Sequence, residues 1–284
     1  MAGNPQAPEL ASAPAPAPTP ANITRIALGL SYNGQAYQGW QSQKSGLTIQ
    51  DKLEAALGRF TAQERVTTLC AGRTDAGVHG LMQVVHFDTS LDRDMHAWVR
   101  GPNTHLPADI AIQWAARVPR EFHCRASAVS RRYVYVLLES RVRPSVEQGR
   151  VGWMYYPLAL APMQEAASIL LGEHDFSSFR ASSCQALSPV KRLLRIDISQ
   201  RGPYWRFEFE ANAFLHHMIR NIMGCLVTIG QGNEPPEWLA QVLAARSRES
   251  AAPTFAPDGL YFQGPRYAPH WGLPTQTPAY DWLP

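Results

Sequence analysis

The chain has 284 residues and a mass of 31.5 kDa, with 45% hydrophobic, 17% charged and 10% aromatic residues. That is enough apolar material for one large or two medium packed cores, and it excludes a chain disordered throughout. Lys plus Arg number 26 against 23 Asp plus Glu, a net charge of +3, so a histone-like basic protein is excluded and any nucleic-acid site must be a local patch.

Cys70, Cys124, Cys184 and Cys225 lie far apart, unlike the close pairs of zinc sites or the density of small secreted scaffolds, so a reducing, cytoplasmic setting is expected. The longest apolar neighbourhoods are interrupted by Arg, Asn or Gly, so no membrane span is expected. Residues 1–21 carry seven Ala and six Pro with no apolar periodicity. They read as a disordered tail rather than a secretory signal or a helical transit peptide.

Order is expected from about Asn22. Ile26, Leu28, Leu30 and Tyr32 alternate with small or polar residues as a half-buried strand does, and Asn33-Gly34 ends it in a turn. Thr48 followed by Asp51 is a capping box, and Ile49, Leu53, Leu57 and Phe60 share one helical face. A strand over Val84–Phe87, a short helix over 93–100 and a strand over Ile110–Val118 complete a first α/β half. The second half alternates in the same way, with a strand over Arg132–Leu138, a helix over Pro162–Leu171 and a strand over Leu193–Ser199. Trp205, Phe207, Phe209 and Ala211 then alternate with Arg206, Glu208 and Glu210, and a helix from about His217 to Ile229 is stopped by Gly230. The expected organisation is a tail at 1–21, an α/β half at 22–125, a second at 126–270 and a C-terminal tail at 271–284.

The segment with the densest chemistry is Ala71-Gly72-Arg73-Thr74-Asp75-Ala76-Gly77-Val78-His79-Gly80. Its three glycines permit positive φ and close backbone approach. Such a loop either holds the Asp75 carboxylate at a cleft rim, with Arg73 available to an anionic group, or is simply a turn. Gly72 and Gly77 have the spacing of a phosphate loop, but Val78-His79 replaces the Lys-Ser/Thr pair that would reach phosphate and magnesium. His216 and His217 are adjacent rather than a helical turn apart, and neither HExxH nor the zinc-deaminase pattern occurs, so no catalytic metal is expected and both histidines read as packed side chains.

The loop AGRTDAGVHG resembles the catalytic motif of the tRNA pseudouridine synthase A family. The likeness extends through YNGQAYQGWQ at 32–41, TIQDKLEAAL at 48–57, QVVHFDT at 83–89 and NTHLPADIAI at 103–112. It continues through FHCRASAVSRRYVY at 122–135, LLGEHDFSSFR at 170–180, ANAFLHHMIRNIMG at 211–224 and APDGLYF at 256–262. This resemblance implies a pseudouridine synthase fold, α/β (α+β), with a mixed, mainly antiparallel sheet flanked by helices and two similar halves around an RNA-binding cleft. It implies isomerisation of uridine to pseudouridine at positions 38–40 of the tRNA anticodon stem-loop, without cofactor or metal, by a homodimer.

On that resemblance Asp75 is the catalytic nucleophile, attacking either the sugar or the uracil ring. Arg73 assists base flipping, which access to a stacked glycosidic bond requires. Tyr133 stacks on uracil and is a candidate to handle a proton, Arg220 pairs with Asp75, and Leu260 packs against the target base. Residue pattern alone leaves simpler roles open: a strand aromatic for Tyr133, a surface salt bridge for Arg220, a core position for Leu260. Arg125, Arg131 and Arg132 near Tyr133, with Lys191, Arg192 and Arg195, are the expected phosphate contacts, or else solubilising charge. A non-catalytic tRNA chaperone on the same scaffold is the competing function. A glycosidase would need a second carboxylate and a nuclease a metal cluster, neither of which the loop offers.

Overall fold

In the computed structural model, which describes residues 23–62 and 66–274, the elements run in the order β1 (Thr24–Tyr32), α1 (Ile49–Thr61), β2 (Leu69–Cys70), β3 (His79–Thr89), α2 (Met95–Asn103) and β4 (Ile110–Val118). There follow β5 (Ala128–Glu139), β6 (Gly152–Met154), α3 (Leu160–Ile169), β7 (Gly172–Asp175), β8 (Val190–Arg201), β9 (Tyr204–Ala211), α4 (Met218–Gly230), α5 (Trp238–Ala245) and β10 (Leu260–Tyr267). The expected tail at 1–21 lies outside the described residues. No helix among those described is long and apolar enough to cross a membrane.

The strands form one ten-stranded sheet in the order β4-β1-β3-β10-β5-β9-β8-β7, with β2 beside β3 and β6 beside β5. Neighbours are antiparallel except β10 with β3 and β6 with β5, so the mixed, mainly antiparallel sheet is present. The two halves therefore share a sheet. They are sewn together by the last strand, which no alternation in the sequence announces, through only two residue pairs: Tyr261 with His79 and Phe262 with Gly80.

Tyr32 pairs with Gly80, and Gly80 with Phe262. Cross-strand partners project to the same side, so the core under α1 and α2, which contains Tyr32, shares a sheet face with the core under α3, α4 and α5, which contains Phe262. Gly80 is required at this seam because a Cβ there would stand 2.4 Å from the Tyr32 ring. The opposite face is covered in the first half by Phe122, Cys124, Tyr267, Trp271 and Leu273. Packed chain thus continues through Leu273, beyond the C-terminal strand, where a tail was expected from residue 271.

Local sequence accounts for most boundaries. Thr48 caps α1 by accepting the Asp51 N–H at 3.2 Å, and its hydroxyl donates to the Asp51 carboxylate at 2.5 Å. Gly230 does not stop α4; it is the last helical residue, buried where a Cβ would meet Met163 Sδ at 2.7 Å. The positive φ that turns the chain belongs to Gly232, at +75°, whose N–H bonds the Ile229 carbonyl at 2.8 Å.

Candidate active site

The loop from Gly72 to Val78 lies on the helix-covered face at the seam between the halves, while Ala71 packs on the opposite face. A Cβ on Gly72 would stand 3.5 Å from Phe262 Cζ and 3.8 Å from the Tyr133 hydroxyl. Gln83 Nε2 donates to the Gly72 carbonyl at 2.6 Å, and the Thr74 side chain hydrogen-bonds the Tyr32 hydroxyl at 2.8 Å. The Trp40 N–H donates to the Thr74 carbonyl at 3.0 Å and the Gly77 N–H to the Tyr37 carbonyl at 3.4 Å. His79 ties three segments together: Nδ1 accepts from the Gly34 N–H at 3.1 Å, and Nε2–H donates to the Gly149 and Asp258 carbonyls at 2.9 and 3.1 Å. These partners need the neutral imidazole, and burial pushes its pKa below the ordinary value.

The 33–40 segment can dock this closely only because Gly34 has no side chain; a Cβ would stand 1.9 Å from the Val78 carbonyl oxygen. A backbone oxygen cannot swing aside as a side chain can. Gly34→Ala is expected to lower unfolding free energy by about 1–3 kcal/mol in a denaturant titration, with a larger proportional loss of activity because the loop carrying Asp75 must move.

Asp75 sits at the rim of this loop with its side chain 18% exposed. His216 Nε2 lies 3.1 Å from its Oδ1; His217 Nε2 and the Arg220 guanidinium lie 3.5 and 3.2 Å from its Oδ2. Burial by itself would raise the Asp75 pKa. The His216 hydrogen bond, with the charges of His217, His216 and Arg220, outweighs burial and holds the carboxyl below the usual range. Asp75 is therefore an ionised, partly dehydrated carboxylate. Arg220 is itself held, its Nε donating to the Phe255 carbonyl at 2.8 Å while the Phe255 N–H returns a bond to the Arg220 carbonyl at 3.1 Å.

The two histidines are the residues that sequence reasoning passed over. Adjacent side chains ordinarily diverge, but His217 has φ +63° and ψ +1° at the start of α4, so both rings turn onto the same carboxylate with centroids 4.0 Å apart. A non-glycine residue in the left-handed region carries strain of about 1–2 kcal/mol. His217→Gly would release it, so we expect unfolding free energy unchanged or higher by up to about 1 kcal/mol, while turnover falls. A marked loss of stability would show that His217 packs for structure alone. The sequence signal available was HHMIRN itself, an unusually polar opening to an otherwise apolar helix.

Asp75, His216 and His217 present three metal-type donor atoms within 4.8 Å of one another. The Arg220 guanidinium already supplies a positive charge at Oδ2, and each imidazole is engaged with the carboxylate. The donor set thus suits a hydrogen-bonded ion-pair cluster at least as well as a cation.

Of the other expected site residues, Arg73 is exposed two positions from Asp75. Tyr133 is 8% exposed, its ring 5.2 Å from Phe214 and 4.8 Å from Phe262. Burial, reinforced by neighbouring acidic groups including Asp75, pushes its hydroxyl pKa far above the ordinary value. Leu260 opens β10 inside the second core, 5% exposed.

The basic residues differ in how they are engaged. Arg125 is exposed, its guanidinium 3.6 Å from Cys70 Sγ. Arg131 is spent on structure, donating to the carbonyls of Ala128, Asn212, Ala71 and Arg125. Strand alternation sends Arg132 to the face opposite Tyr133, in a row with Glu210 and Arg195. Arg195 pairs with Asp197 and Glu208. Lys191 Nζ donates to the Ser188 and Val190 carbonyls, and Arg192 is exposed.

Comparison with known proteins bears on this site. A family profile described as tRNA pseudouridine synthase matches residues 30–125 and 166–268. The chain is 72% identical to the tRNA pseudouridine synthase A of Albidiferax ferrireducens, 70% to that of Polaromonas sp. strain JS666 and 68% to that of Acidovorax sp. strain JS42. Each alignment covers 92% of this chain and all of the relative. A solved Cbf5-Nop10-Gar1 complex is similar only at a TM-score of 0.32 and 10% identity, over 71% of this chain and 44% of that one, too remote to weigh.

Proposed function

The chain belongs to the tRNA pseudouridine synthase family, and from that premise we propose that it isomerises uridine to pseudouridine at positions 38–40 of the tRNA anticodon stem-loop, with Asp75 as nucleophile. The observation that carries the reading is the Asp75 carboxylate at the seam, 3.2 Å from the Arg220 guanidinium and 18% exposed. A glycosidic bond can be broken by attack of such a carboxylate on the sugar or the base.

The remaining roles follow from position. Arg73, exposed beside Asp75, meets the RNA backbone as the target nucleotide is flipped out of its stack. Tyr133 and Leu260 line the aromatic and aliphatic side of the seam, where a uracil ring would stack. Arg125, Lys191 and Arg192 contact phosphates, with Arg131 acting mainly by holding β5 in place and Arg132 offered to phosphate from the other face of the sheet. Phosphate contacts position the RNA without reading bases, and a folded stem is recognised by shape, which accommodates neighbouring target uridines. In keeping with the family likeness, neither cofactor nor metal takes part, and turnover is expected to persist in excess chelator. The working unit is a homodimer gripping one anticodon arm. A fully active monomer in light scattering would overturn that assignment. The four free cysteines fit the reducing cytoplasm.

The test is position-resolved detection of pseudouridine in unmodified tRNA incubated with the protein. New pseudouridine at adjacent anticodon-arm positions supports the reading. Its absence with folded protein that still binds the tRNA would leave a chaperone.

A further inference from the structure

We propose that His216 is the acid–base group of this isomerisation, giving a proton to the departing uracil and taking one from its carbon 5. The proposal rests on the function proposed above. Converting uridine to pseudouridine breaks the N1–C1′ bond, forms a C5–C1′ bond, removes the proton on C5 and leaves a proton on N1. Whichever carbon Asp75 attacks, one proton must leave C5 and one must reach the ring nitrogen. As the N1–C1′ electron pair departs with the base, protonated His216 supplies the proton and becomes neutral. When C5 has bonded to C1′ and the Asp75 carboxylate has left with its electron pair, neutral His216 takes the C5 proton, and that C–H pair restores the ring. The cycle closes with Asp75 ionised and His216 protonated.

Geometry favours one group for both transfers. The uracil must turn so that C5 occupies the place N1 has vacated over C1′, so the two protons are handled at nearly the same point, next to the nucleophile. His216 Nε2 is 3.1 Å from Asp75 Oδ1, and the side chain is 38% exposed, so a base held beside the carboxylate would lie within reach of Nε2. Its other nitrogen, Nδ1, lies 3.2 Å from the Ser183 hydroxyl, which fixes the ring, and its backbone N–H donates to Cys184 Sγ at 3.5 Å.

The alternatives at the site are poorer. Tyr133 is buried, with its hydroxyl pushed far from any physiological titration. Burial keeps His217 more readily neutral than an ordinary imidazole. Arg220 is a fixed cation already bonded to Asp75 and Phe255.

The charged and titratable groups facing His216 are Asp75 from the loop, His217 and Arg220 from the start of α4, and Cys184 from the 180–188 segment. The Asp75 hydrogen bond, its largest influence, raises the His216 pKa against burial and Arg220. Consuming the Asp75 charge would remove that support, releasing the proton when the base departs; restoring it favours recapture.

The experiment compares wild type, His216→Gln and His217→Gln in single turnover on tRNA carrying 5-deuterated uridine, across pH. Gln keeps a donor toward Asp75 but cannot exchange a proton. His216→Gln should bind tRNA within a few fold of wild type and lose about 10²–10³-fold in rate. It should lose the histidine limb of the pH profile, show a 5-deuterium isotope effect on pseudouridine formation, and recover partly with added imidazole. His217→Gln should keep the limb. A His216→Gln rate within threefold of wild type would overturn the proposal, as would a slow rate with the limb intact and no isotope effect, which is the signature of positioning alone. Wild-type protein that makes no pseudouridine would instead sink the reading beneath it.

Discussion

Asp75→Asn is expected to lower turnover by at least about 10⁴-fold while leaving tRNA affinity within a few fold of wild type. An amide is nearly isosteric with the carboxylate but is a far weaker nucleophile. Binding should survive because it comes from phosphate contacts and base stacking spread over a wide surface. Removing a negative charge beside Arg73 and Arg220 also leaves the seam more attractive to a polyanion. The measurements are single-turnover pseudouridine formation and filter binding at fixed salt, since affinity itself should fall steeply as salt rises. A more than tenfold loss of binding would mean that Asp75 organises the RNA surface rather than the chemistry.

Arg220→Met is expected to cost less activity than Asp75→Asn, and by a different route. Arg220 is the fixed cation on Asp75 and is anchored through Nε to the Phe255 carbonyl. Its loss leaves a carboxylate that burial pushes up, opposed only by the His216 hydrogen bond and the neighbouring imidazoles. The Asp75 pKa should rise, and the sign follows. In the wild type the depressed pKa keeps the charge, and the stability it lends, until pH falls through that lowered value. In the variant the acid limb of kcat/KM should move to higher pH, with a fall of about 10³-fold at neutrality. Unfolding free energy should drop by about 3 kcal/mol, as when one partner of a largely buried pair is removed.

Adding Asp75→Asn to Arg220→Met should restore much of that stability but none of the activity. Arg220→Lys should rescue poorly, because one ammonium cannot donate to Phe255 and to Asp75 Oδ2 in the guanidinium's geometry. If Arg220→Lys is fully active, the anchored fork is irrelevant and charge alone suffices.

Much of the fold was legible in one dimension. Alternation in β1 and β9, the Thr48 cap of α1 and the apolar face of α4 are local signals, and each corresponds to an observed element. Short elements were not legible. The strands β2, β6 and β7 span two to four residues, too few to show a period, and exist because longer neighbours offer an edge. The strand β10 carries Gly264 and Pro265 in its interior and Arg266 beyond them, which obscures its alternation, yet it is the strand that joins the halves.

The site divides in the same way. Asp75 and Arg73 announce themselves because the glycines, the carboxylate and the guanidinium lie within one loop, where a turn brings near residues together whatever the rest of the chain does. His216 and His217 do not, because their partner lies in the other half of the chain and their convergence depends on one left-handed residue. Basic residues mislead for a related reason: sequence gives charge, but sheet register decides that Arg132 faces away from Tyr133 and hydrogen bonding decides that Arg131 is occupied. Sequence by itself determined the loop chemistry, the mixed sheet and helices, and the family likeness, since these rest on local pattern and contiguous motifs. Only tertiary structure placed the histidine pair on the carboxylate, seated the two halves in one sheet and chose among the cations, because each depends on contacts between segments distant in the chain.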